Sequence, residues 1–118
     1  MNRKAFHIRF SALLAFVLWL GASNAFSQNV FSSEDDLKKQ ANKLFEDEDF
    51  TKAYPLFSQL LSLYPKDPQY NYKFGTCLLF SSSDKSKAIP YIEFAAKRQK
   101  QDVDKEVFFY LGKAYHLN

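Results

Sequence analysis

The chain has 118 residues, 18% of them aromatic, and a formal net charge of +3; that length allows one modest domain. Three of its 16 Lys and Arg residues, Arg3, Lys4 and Arg9, stand at the front, so from Phe26 onward 13 cations balance 13 carboxylates. A neutral module has no electrostatic footprint for a phosphate backbone, and the composition excludes nucleic-acid binding.

The front end reads as an export signal. A basic start is followed by an uncharged apolar run from Ala12 to about Leu20, then by small residues with Ser23 and Ala25 two apart. That is the three-part layout of a secretory leader, residues 1–27, with cleavage after Ala25 or after Ser27. The run is short for a membrane span, which needs about 20 apolar residues; an uncleaved anchor is the rival reading. Residues 28–33 form a short lead. Export places the chain in the periplasm or at the outer membrane, with the membrane met only through the leader.

Ser32 or Ser33 can cap a first helix whose opening turn holds Glu34, Asp35 and Asp36, where the helix dipole favours carboxylates. Its apolar residues fall at Leu37, Ala41, Leu44 and Phe45. "EDED" at 46–49 interrupts the pattern. It lacks the alternating oxygen ligands and the glycine of a calcium loop and reads as a solvated turn. A second helix runs from about Phe50 to Tyr64 with Ala53, Leu56, Phe57, Leu60, Leu61 and Tyr64 on its apolar side, and Pro65 and Pro68 stop it.

A third helix is expected from about Gln69 to Phe80 and a fourth from about Lys85 to Arg98, the latter with Ala88, Ile89, Ile92, Ala95 and Ala96 inward. A fifth starts near Asp104 with Val107, Phe108, Leu111 and Tyr115 on one face. Alternation with a period of two is sustained nowhere, so the fold class is all-α. Cys77, the single cysteine, sits in "FGTCLLF" and reads as a small buried hydrophobe. His7 lies in the leader and His116 has no second histidine nearby. There is no Gly-rich phosphate loop and no Ser–His–Asp framework, so neither catalysis nor a cofactor nor a metal is expected.

The helices repeat. "AYPLFSQLL" from Ala53 aligns with "AIPYIEFAA" from Ala88 at an offset of 35; "YKFGTCLLF" from Tyr72 aligns with "FYLGKAYHL" from Phe109 at an offset of 37, Gly75 matching Gly112. "LKKQANKLF" from Leu37 follows the same plan, with Ala41 in the glycine's place. Small residues at Ala41, Gly75 and Gly112 in first helices, and at Ala53 and Ala88 in second helices, are expected where paired helices approach most closely.

On these residues the chain resembles the tetratricopeptide repeat, a helix pair of about 34 residues. The resemblance implies a solenoid of antiparallel helix pairs: one repeat at 34–67, a second at 68–103, and the first helix of a third at 104–118. Three departures stand in the second unit: Lys85 where the first has Phe50, an extra residue in its turn, and Lys100 where a proline is expected. The stretch "YKFGTCLLFSSSDKSKAIPYIEFAAK" is similar, more narrowly, to the tetratricopeptide segment of exported Gram-negative envelope proteins. In those the segment precedes a β-propeller and an OmpA-like domain, and some belong to secretion or gliding machinery.

In the repeat family the first helix of each unit lines a concave groove. The matching positions are Lys38, Asn42 and Phe45, then Tyr72, Thr76 and Leu79, then Phe109, Lys113 and His116. Their mix of amide, hydroxyl, ammonium and aromatic groups suits an extended peptide or a partner helix. The function expected is therefore a non-catalytic scaffold in the cell envelope that holds a protein partner, such as an outer-membrane or secretion-machinery component. The alternatives are a glycan- or peptidoglycan-binding helical protein, with Tyr72 and Phe109 as stacking platforms, and an accessory helical domain of an exported enzyme. Stacked repeats need neighbours on both sides. The apolar residues of the last helix have nothing after them, so the chain is expected to be the N-terminal part of a longer protein.

Overall fold

In a computed structural model the described residues are 33–118, and the predicted leader and nearly all of the lead after it lie outside them. The described residues are helical, with no strand among them. Five α-helices follow in order: α1 (Glu34–Glu46), α2 (Phe50–Leu63), α3 (Pro68–Ser81), α4 (Ile89–Ala96) and α5 (Val107–Leu117). None is long and apolar enough to cross a membrane.

Side-chain caps fix most of the starts. The Ser33 hydroxyl accepts from the Asp36 amide at 3.2 Å, ahead of the acidic first turn of α1. Asp49 accepts from the Lys52 amide at the start of α2, and Asp67 from the Tyr70 amide at 2.9 Å at the start of α3. Each cap satisfies an amide the helix leaves without a partner, worth about 1 kcal/mol. Pro68 occupies the first position of α3, where its missing N–H costs nothing. The predicted fourth helix is divided: Lys85–Ala88 is a 3₁₀ turn, α4 covers only Ile89–Ala96, and turns follow. Pro90, which has no N–H to close an α-helical bond onto Ser86, stands at the division, although the matching Pro55 lies inside an unbroken α2.

Each helix packs chiefly against its neighbours in sequence: α2 against α1 and α3, and α4 against α3 and α5. Two apolar clusters result. One joins α1, α2 and α3 through Leu37, Ala41, Ala53, Phe57, Leu60 and Cys77. The other joins α3, α4 and α5 through Tyr72, Leu79, Ala88, Ile92, Val107 and Ala114. α3 serves both, and every residue from Tyr70 to Cys77 is buried. Full burial of a large apolar side chain contributes about 1.5–3 kcal/mol, so α3 is the main stabilising element.

Of the small residues, Gly75 and Ala88 mark a close approach, as expected, whereas Gly112 does not: a Cβ there meets nothing within 4 Å among the described residues. A Cβ built on Gly75 would lie 2.7 Å from Ile92 Cγ1, 3.0 Å from Tyr91 Cβ and 3.2 Å from the Ala88 carbonyl oxygen. Ala41 and Ala53 are both fully buried in the first cluster. In α5 the inward stripe differs from expectation. Val107 and Ala114 are buried, and Tyr110 and Leu111 are half-buried against the second cluster; Phe108 and Tyr115 face outward. "VFFYL" is apolar on every side, so its periodicity cannot select a face, and the small Ala114 completes the buried stripe at helical spacing.

Candidate partner-binding groove

α1, α3 and α5, the first helices of the repeating units, are joined along one side of the molecule by polar and aromatic side chains. The Lys73 Nζ on α3 donates to the Asn42 side-chain oxygen on α1 at 2.6 Å, and lies 5.2 Å from the Phe45 ring centre and 5.8 Å from that of Phe57. Lys73 is only 9% exposed, and burial holds its ammonium pKa below the ordinary value, with the carboxylates of Asp104 and Glu46 opposing that shift. A buried ammonium is costly unless hydrogen-bonded, and here an amide oxygen and two ring faces serve. Phe45 contacts Phe50, Phe57 and Tyr72 edge-on, with centroids 5.4 to 5.8 Å apart. Tyr72 and Phe80 in turn each stand 6.0 Å from Tyr110 on α5.

Beyond Phe80 this side opens into a recess of about 570 Å³. Phe80, Phe109, Tyr110 and Lys113 form one wall, and Glu48 with Asp49 at the α1–α2 turn form the other. The Lys113 ammonium lies 4.9 Å from the Phe80 ring centre and 5.9 Å from that of Phe109. Glu48 takes a left-handed backbone conformation (φ 57°), uncommon outside glycine, which turns the chain tightly beside the recess. Asp49 is paired with Lys52 at 2.8 Å, and the hydrogen bond from Lys52 lowers its pKa. The recess thus offers aromatic faces, one ammonium and two carboxylates. It can hold a peptide side chain of either charge, and it carries no nucleophile–base arrangement.

The nine residues singled out from the sequence fall into three groups. Phe109, Lys113 and His116 are accessible on α5, the first two at the recess. Lys38 is exposed, and Asn42 and Phe45 are half-buried around Lys73. Tyr72, Thr76 and Leu79 are fully buried, which corrects the expectation that they face a groove. The rings of Phe45 and Tyr110 flank Tyr72, and the Thr76 hydroxyl is turned inward, donating to the Tyr72 carbonyl at 2.9 Å. Tyr72 is therefore not a stacking platform for a sugar; it is a core residue whose buried hydroxyl has no hydrogen-bond partner among the described residues. Sequence reasoning missed Lys73, Phe80 and the pair Glu48–Asp49. A lysine inside the apolar run "YNYKFG" was the available signal for the first.

No family model, no curated protein and no solved structure matches the chain.

Proposed function

We propose that the chain is an exported, non-catalytic scaffold of the tetratricopeptide type that holds a protein partner in the cell envelope. The observation that carries the reading is the recess of about 570 Å³ beside Lys113, walled by Phe80, Phe109 and Tyr110 on one side and by Glu48 and Asp49 on the other. The near approach of Ala88 and Gly75 supports the helix-pair repeat itself. A peptide side chain entering the recess meets ring faces for apolar contact and fixed charges for orientation, the combination extended partners use.

The test is site-directed photo-crosslinking in cells. A photoreactive residue at Thr51 or Lys113, which line the recess, is expected to capture a protein partner; one at the exposed Gln59 on α2 is not. Equal capture from all three positions contradicts the reading, as does retention of the purified chain on peptidoglycan without any protein adduct. Export has its own readout. Amino-terminal sequencing of the mature protein is expected to begin at Phe26 or at Gln28, and an amino terminus at Met1 contradicts it.

A further inference from the structure

Away from α5 the described residues hold a second opening, a cleft between α2 and α4. Both helices pack on α3 and hardly on each other. Two adjoining hollows of about 400 and 390 Å³ result, which share Tyr54, Leu78 and Lys87. The floor is aromatic. The Phe74 ring stacks on Tyr54 of α2, with centroids 5.3 Å apart, and meets Tyr91 of α4 edge-on at 4.8 Å. Pro90 stands exposed on the rim. Thr51 and Ser82 bring hydroxyls, and that of Ser82 accepts from the Asp84 amide at 3.2 Å and keeps its own proton to donate. The charge is of one sign. Lys87, exposed, is the one charged residue among those lining the cleft, and no ion pair engages it among the described residues. The Asp84 carboxylate lies within its field but outside the lining. Residues 85–100 hold five cations and a single carboxylate, Glu93, which accepts from the Tyr115 hydroxyl.

We propose that this cleft binds a proline-rich, acidic segment of a partner protein in the polyproline II conformation. Pyrrolidine rings pack on the faces of Tyr54 and Tyr91, as in other aromatic-lined grooves. A polyproline II segment leaves its carbonyls free to accept from the Thr51 and Ser82 hydroxyls, whereas a helix uses its carbonyls internally. Its three residues per turn set every third side chain on one side, so a carboxylate can face Lys87 while prolines face the rings. The cations that follow Lys87 in the chain add to a field that favours an acidic segment and disfavours a basic one. The cleft and the recess beside Lys113 are separate sites, bordered in common by Thr51. The inference shares with the scaffold reading only a protein as the partner.

The probes are three fluorescent peptides, each of four identical triplets, Glu-Pro-Pro, Lys-Pro-Pro or Glu-Gly-Gly, titrated into the mature protein. The Glu-Pro-Pro peptide is expected to saturate at one per chain, and the other two to bind about tenfold or more weakly. Lys87→Glu, at an exposed position, is expected to reverse the order: Glu-Pro-Pro weakens about tenfold and Lys-Pro-Pro gains. Lys39→Glu, an equal change of charge at an exposed position on α1, leaves both peptides unchanged. Binding of Glu-Gly-Gly as tight as that of Glu-Pro-Pro overturns the proposal, because charge alone then suffices. Glu-Pro-Pro binding that fails to saturate, or that survives Lys87→Glu, overturns it as well. Crosslinks from Lys113 without peptide binding sink this inference alone, and peptide binding without crosslinks from Lys113 sinks the recess reading alone.

Discussion

α3 and α5 carry matching sequence, "YKFGTCLLF" and "FYLGKAYHL", yet they occupy opposite environments. α3 is enclosed, with each residue from Tyr70 to Cys77 buried; α5 buries only Val107 and Ala114 and leaves Phe108, Phe109 and Tyr115 largely exposed. The pattern of large and small residues alone therefore does not decide burial. What differs is the neighbourhood: α3 lies between α2 and α4, while α5 has α4 on one flank and, among the described residues, nothing within 4 Å of a Cβ at Gly112. In a stack of this kind a helix acquires its stability from the helices beside it.

The largest expected effect contrasts the two environments directly. Phe57→Ala, in the cluster that α2 shares with α3, is expected to lower stability by about 3–5 kcal/mol in chemical denaturation. Phe108→Ala on α5 is expected to stay within about 0.5 kcal/mol of the parent. Similar losses at both positions would erase the distinction.

Alkaline titration probes the same contrast at α3. Burial pushes the Cys77 thiol up from its ordinary value of 9.0 to about 12. A group whose folded pKa is raised contributes stability that is full below the unfolded pKa and is lost as pH rises toward the folded one. Between pH 9 and 12 the folded state thus loses about 1.4 kcal/mol per pH unit through Cys77. Lys73 acts oppositely below 10.5, because its pKa is lowered by burial. The measurement is therefore the difference between the parent and Cys77→Ala, which retains Lys73. Equal pH slopes in the two proteins would contradict an enclosed thiol. The same enclosure is expected to leave Cys77 unreactive toward iodoacetamide at pH 8 until the protein unfolds.

A smaller effect is expected at Tyr72. Its buried hydroxyl has no partner among the described residues, so Tyr72→Phe removes an unsatisfied group and is expected to raise stability by about 1 kcal/mol. A loss of that size would point instead to a hydrogen bond.

Much of the fold was legible because its punctuation is local. Ser33 caps, Pro65 and Pro68 stop, and Gly75 and Ala88 meet where matched small residues predict contact. The shortening of α4 was less legible, since Pro90 aligns with Pro55, which lies inside an unbroken α2. The groove was legible in part. Asn42, Phe109 and Lys113 are on or near it, but the family register could not foresee that Phe45 and Tyr110 would close over Tyr72. Nor could spacing reveal that Lys73 sits among rings, because its hydrogen-bond partner Asn42 is 31 residues away in sequence.

The most direct measurement is the pair Gly75→Ala and Gly112→Ala, compared by thermal or urea denaturation. At Gly75 the added methyl meets Ile92, Tyr91 and the Ala88 carbonyl, so overpacking of about 1–3 kcal/mol outweighs the gain in helix propensity and the variant is destabilised. At Gly112 it meets nothing within 4 Å, so the propensity gain of about 0.8–1.0 kcal/mol stands alone and the variant is stabilised. Opposite signs are the predicted result; the same sign at both glycines would contradict the reading of α5 as an open counterpart of α3.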